Sequence, residues 1–104
     1  MTHLNKISVL YTTISTLEAA EKLAHQALLN KLVVCVNIIP NGKSLYLWED
    51  KIEQAEECYM IFKTSEDQLS ALETWILQHH PYEIPAILKF EADSSAAFLE
   101  YIGS

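Results

Sequence analysis

The sequence predicts an α+β domain of β-α-β-β-α-β order with a closing helix, and three observations carry that prediction. Apolar residues recur at helical period in two separate stretches, Leu17–Leu28 and Leu69–Ile76. Apolar runs, β-branched in part, flank and separate them. Only 2 Gly and 3 Pro punctuate 104 residues, so regular structure should fill nearly the whole chain, residues 1–104, as one domain.

Ile7-Ser8-Val9-Leu10-Tyr11 is the first strand. Ser15 and Glu18 have capping-box spacing. Leu17, Ala20, Leu23, Ala24, Ala27 and Leu28 then share one helical face, which places the first helix at 16–30. Glu18 and Lys22 are spaced for an i,i+4 pair on its outer face. Leu32 to Ile39 is the second strand, followed by Pro40-Asn41-Gly42, Ser44 to Trp48, the polar Glu49-Asp50-Lys51, and Ile52 to Lys63. Two readings stand here. Either Pro40-Asn41-Gly42 closes a hairpin, which the local signal favours, or it kinks one long strand and the hairpin turns at Glu49-Asp50. Ser65 and Gln68 form a second capping-box spacing. Leu69, Leu72 and Ile76 mark the second helix, with His79 and His80 in its last turn and Pro81 ending it. Ile84 to Phe90 is the last strand, and Ser94 or Ser95 caps a short helix holding Phe98, Leu99 and Ile102. This order is the split βαβ, ferredoxin-like arrangement. Right-handed crossovers put both main helices on one face of an antiparallel sheet.

Charge narrows the function. Fourteen acids stand against 7 lysines with no arginine, a formal net charge of -7. Nucleic-acid binding needs clustered basic groups, so it is excluded as an expectation. Without arginine no bidentate guanidinium clamp for phosphate or carboxylate can form. No apolar run approaches the roughly 20 residues of a membrane span, and no basic-then-apolar leader opens the chain. The expectation is a soluble cytoplasmic protein with reduced thiols and no membrane partner.

Four groups of residues are candidates for chemistry. His79 and His80 are adjacent, so on a helix end they point in different directions, and a metal bound there needs further ligands. Cys35 and Cys58 lack C-x-x-C spacing. With a turn at Glu49-Asp50, position 35 faces about position 64, roughly 20 Å from Cys58, which is too far for a disulfide. Glu49, Asp50, Glu53, Glu56 and Glu57 read as a solvated strand edge that resists aggregation. Tyr46, Trp48 and Tyr59 serve either self-association or cross-strand packing within one chain. No nucleophile elbow and no Gly-rich phosphate loop is present, so no enzyme is expected.

Three segments carry a resemblance: Cys35-Val36-Asn37-Ile38-Ile39-Pro40, Ser44-Leu45-Tyr46-Leu47-Trp48-Glu49-Asp50-Lys51-Ile52, and His79-His80-Pro81-Tyr82-Glu83-Ile84-Pro85. In this order and spacing they resemble the CutA divalent-ion-tolerance family over nearly the whole chain. The resemblance implies a ferredoxin-like subunit in a tight homotrimer whose long second and third strands complete neighbouring sheets. It implies that Pro40-Asn41-Gly42 kinks one long strand. It also implies a role in tolerance of divalent cations, Cu2+ first. His79 and His80 would be the metal ligands, joined by Glu83 or a neighbouring subunit's carboxylate. A first-strand cysteine used by relatives falls at Tyr11, a poor copper ligand beside a thiolate. The likeness of such trimers to PII signalling proteins supplies the alternative expectation, a small molecule or nucleotide held in clefts between subunits.

Overall fold

The computed structural model describes residues 5–103. They form β1 (Lys6–Ile14), α1 (Leu17–Leu29), β2 (Cys35–Trp48), β3 (Lys51–Thr64), α2 (Glu66–His79), β4 (Ile87–Asp93) and α3 (Ala96–Gly103). One antiparallel sheet has the strand order β2-β3-β1-β4. The expected element order, ferredoxin-like topology and terminal helix are therefore present.

Why these residues form these elements is mostly local. Thr16, in extended backbone, accepts a hydrogen bond from the Ala19 amide at 3.0 Å and starts α1. The cap is thus one residue later than the Ser15/Glu18 spacing indicates, and Ala19 at the third helical position cannot reciprocate. At the other end Lys31 takes φ 58, and the Lys31 and Leu32 amides bond the Leu28 and Ala27 carbonyls. This is a Schellman closure in which lysine occupies the left-handed position usually given to glycine. Ser65 caps α2 by backbone geometry without a side-chain hydrogen bond. The expected Glu18–Lys22 pair is not among the ion pairs of the described residues, which are Lys6–Asp93 and Lys89–Glu73.

Two expectations on strand boundaries change. β4 begins at Ile87 rather than Ile84. Pro85 has no amide to give a ladder, and the segment ahead of β4 is held instead by Thr12 Oγ1 donating to the Ala86 carbonyl at 2.6 Å. β1 runs on to Ile14 because Thr12, Thr13 and Ile14 are β-branched and keep pairing with β3.

The middle of the chain decides between the two hairpin readings. β2 is one strand from Cys35 to Trp48, and the turn is Glu49-Asp50, with φ 51 and 67. Both central residues are left-handed, as a two-residue type I′ hairpin requires. At Pro40-Asn41 the register slips between the pairs Ile39↔Tyr59 and Gly42↔Glu57, so two residues of β2 oppose Cys58 alone. Proline donates no amide and Asn41 turns to φ 63, which makes a β-bulge rather than a chain reversal. Cys35 pairs with Lys63, five positions from Cys58 along β3, and both cysteines are free thiols.

The core lies between the sheet and the two long helices. Leu10 and Ile14 of β1, Met60 and Phe62 of β3, Leu23 and Ala27 of α1, and Leu72 and Ile76 of α2 pack there. The opposite face carries Val9, Tyr11, Ile61, Leu88 and Phe90, which the register aligns across three strands. Leu88 and Phe90 remain about half exposed. β1 pairs no further than Ile14↔Cys58, so β2 and β3 continue as a two-stranded arm, and the longest dimension reaches 47 Å.

Gly42 sits where the arm leaves the sheet, and the Tyr59 ring lies across it. A Cβ at position 42 would come within 2.3 Å of Tyr59 Cζ. Tyr59 Oη accepts from the Lys43 amide at 3.0 Å and donates to the Lys43 carbonyl at 3.1 Å. Gly42→Ala should swing the ring out, break both bonds and lower stability by about 1–3 kcal/mol. Urea unfolding of Gly42→Ala with and without Tyr59→Ala checks this, because the cost of the added methyl should largely vanish once the ring is gone.

Candidate functional site

The residues with the most connected chemistry gather where β1 ends, α2 stops and the arm begins. His79 is the last residue of α2, and its ring stacks on Trp75 with centroids 4.4 Å apart. His79 Nδ1 lies 2.8 Å from the Trp75 carbonyl. A carbonyl can only accept, so Nδ1 carries the proton and the lone pair is on Nε2, on an exposed side chain. A histidine oriented through its other nitrogen by a backbone carbonyl is the arrangement metal-ligating histidines use.

His80 behaves differently. It is the first residue outside the helix, and its amide reaches back to the Ile76 carbonyl at 2.7 Å. Its Nε2 lies 2.8 Å from the Thr13 carbonyl and its Nδ1 3.1 Å from the Tyr82 amide. Nε2 must donate and Nδ1 must accept, so the ring is neutral with both nitrogens engaged. Burial holds its pKa below the ordinary value, against the opposing Thr13 hydrogen bond and the Glu57 charge.

Glu57 is the centre that sequence reasoning placed wrongly. It is 8% exposed rather than a solvated edge. Ser44 Oγ donates to Oε1 and Tyr82 Oη to Oε2, each at 2.6 Å. Burial pushes its pKa up. The hydrogen bonds from Ser44, Tyr82 and Thr13 outweigh that, so the carboxyl titrates below its ordinary value. The phenol of Tyr82 is pushed well above its ordinary range, by burial first and then by the Glu57 carboxylate it bonds. Tyr82 also packs edge-on against His80, 4.7 Å between centroids. The result is a continuous chain of bonds from Ser44 through Glu57, Tyr82 and His80 to Thr13. It joins the arm, the segment after α2 and the end of β1. The consecutive burial of Glu57 and Cys58 breaks strand alternation opposite the bulge, and the Pro40-Asn41 pair was the sequence signal that could have located it.

The predicted site residues therefore separate. His79 and His80 are adjacent but diverge, one presenting Nε2 outward and the other locked inward. Glu83 is exposed in the non-regular segment before β4. Tyr11 lies on the open sheet face beside Tyr59, 6.4 Å between ring centroids, with its phenol pKa raised by burial first and by Tyr59. Among the described residues no group of three His, Cys, Asp or Glu side chains converges in a way that could hold a metal ion. The residues present fit one point of attachment, His79, rather than a closed coordination shell. No helix among the described residues is long and apolar enough to cross a membrane.

The profile of the CutA1 divalent ion tolerance protein family matches residues 8–104. The chain belongs to this family. Divalent-cation tolerance protein CutA of Yersinia pestis is 47% identical over 70 residues, 67% of this chain and 59% of that protein. The chain thus spans about three-fifths of the length of the curated relatives it matches. Two solved structures of CutA-family proteins superpose closely. Divalent ion tolerance protein CutA1 of Ehrlichia chaffeensis has a TM-score of 0.91 at 38% identity, covering 93% of this chain and 92% of that one. The periplasmic divalent cation tolerance protein CutA of Archaeoglobus fulgidus has a TM-score of 0.88 at 36% identity, covering 93% and 95%.

The Glu57 carboxylate gives the CutA1 fold here an acid-side stability dependence. A folded pKa below 4.5 means the unfolded chain takes up a proton first as pH falls. The stabilisation is complete above the unfolded-state value and is lost as pH falls from there through the lower folded one. Thermal melts from pH 6 down to about 3 should fall less steeply for Glu57→Gln than for the wild type. Tyr82→Phe should unfold at higher pH than the wild type.

Proposed function

We propose that this CutA1-family chain acts as a cytoplasmic homotrimer that captures divalent cations weakly, Cu2+ among them, and contributes to metal tolerance without catalysing a reaction. The orientation of His79 carries the reading: its Nδ1 is committed to the Trp75 carbonyl and its Nε2 is left to accept a metal. One imidazole gives weak binding, completed by water or by a carboxylate such as Glu83. His80 supports the site by fixing the chain after α2 to the end of β1. Net charge of -7 favours cation accumulation at the surface.

The trimer reading is supported by the arm. Leu47 and Ile52 pair directly on one face of it, and Tyr46 and Trp48 lie on the other. Leu47, Trp48 and Ile52 are 74%, 61% and 73% exposed in the single chain. A two-stranded ribbon is marginal alone, and one with apolar side chains on both faces needs cover from other subunits.

Calorimetric titration with Cu2+ separates the two histidines. His79→Ala should lose at least about tenfold in affinity. His80→Gln should melt at lower temperature and retain cation affinity within about twofold. Equal affinity in His79→Ala and wild type would remove the metal assignment. Sedimentation should show a trimer at micromolar concentration, and a stable monomer there would refute the assembly.

A further inference from the structure

We propose that the cleft between α1 and the end of α2 is a binding site for a small monocarboxylic acid with an apolar body. The cleft encloses about 310 Å3, at the small end of the range of ligand pockets. Its walls are Ile14, Ala19, Leu23 and Pro81, with Lys22 and His79 as its ionisable lining residues. Ile14 and Leu23 belong to the core, so this wall is held by the packing of the whole domain. Apolar walls with a few polar side chains, Lys22, Gln26 and His79, match a ligand with an apolar body and one polar group.

The polar groups select the sign of that charge. No carboxylate lines the cleft, although acids outnumber lysines two to one in the chain. Lys22 is exposed and takes part in neither ion pair of the described residues. His79 is held by Trp75 through Nδ1, and Gln26, which also lines the cleft, offers an uncharged amide donor. An ammonium beside an apolar wall favours an anion that makes a charge-assisted hydrogen bond while its hydrocarbon displaces water. One lysine, without arginine, offers a point donor rather than a fork, which suits a single carboxylate and not a phosphate dianion. The site lies within one chain on the helix side of the sheet. It does not rest on cation capture at His79, although a metal on Nε2 would crowd the same rim.

The test is a titration of the isotope-labelled full chain with isocaproate, in excess chelator so that metal binding plays no part, followed by amide chemical shifts. Shifts centred on Ala19–Leu23 and His79–Tyr82 should saturate with Kd of about 1 mM. The uncharged isocaproamide should bind roughly tenfold more weakly, and so should Lys22→Gln toward isocaproate. Ala19→Leu fills the cleft from a partly exposed helix position and should abolish saturation. Melting temperatures confirm that each variant is folded; if Ala19→Leu is not, the acid–amide comparison on wild type decides. Equal binding of acid and amide, unchanged affinity in Lys22→Gln, or shifts centred elsewhere would overturn the site, while leaving the Cu2+ titration free to succeed or fail separately.

Discussion

The extra residue of β2 opposite Cys58 is the constraint on which the rest of the molecule depends. Without the bulge at Pro40-Asn41, a proline inside the strand would cost a ladder hydrogen bond. With it, β2 absorbs proline where no amide is required and continues to Trp48. The bulge also resets which residues oppose one another. Gly42 comes to face Glu57, the Tyr59 ring fills the space over the glycine, and Glu57 follows Cys58 into the interior. A one-residue change of register would exchange the two faces of the arm. The bulge therefore fixes both where the carboxylate lies and which apolar side chains the arm presents on each side.

Glu57 then links the arm to the segment after α2. A buried carboxylate without a cationic neighbour is costly unless its oxygens are hydrogen-bonded, and here two hydroxyls satisfy them. Ser44 brings the arm into the network and Tyr82 brings the segment after α2. His80, next along, requires the carbonyl of Thr13 and the amide of Tyr82 at once. Two adjacent histidines thereby acquire different roles from their hydrogen bonds alone. His80 spends both nitrogens on holding α2 against β1, and His79, one residue earlier and still helical, keeps one nitrogen outward.

Legibility in the sequence followed how local each cause was. α1, α2 and the terminal helix were readable because a 3.6-residue period needs no knowledge of partners, and β1 because Ile7, Val9, Leu10 and Tyr11 form a short, largely apolar stretch. Pro40-Asn41-Gly42 was ambiguous because the same tripeptide suits a turn or a bulge, and the choice depends on whether the ladder resumes beyond it. The resemblance supplied that information and the register bears it out. The start of β4 was misplaced because Ile84 is strand-forming in isolation yet sits before a proline. Glu57 was misread because it stands among four other acids of a solvated strand edge, while the bulge beside which it is buried lies on the opposite strand. The divergence of His79 and His80 was foreseen from helix geometry. Which of them keeps a lone pair was not, since it depends on Thr13, 67 residues away in sequence.

The arm sets a geometric demand that bears on assembly. Its apolar residues lie on both faces, Leu47 with Ile52 on one and Tyr46 with Trp48 on the other. The open sheet face adds Leu88 and Phe90. A two-fold dimer joins one patch to its own copy and leaves a second, opposite patch in water. A ring built from head-to-tail contacts gives each arm one neighbour before it and one behind, so both faces can be covered by a single repeated contact. A closed ring also removes the exposed β2 edge that would otherwise invite further strands. The same bulge that buries Glu57 thus lets β2 continue into the arm, and the arm's two-sided apolar pattern suits the proposed cyclic assembly better than a pair.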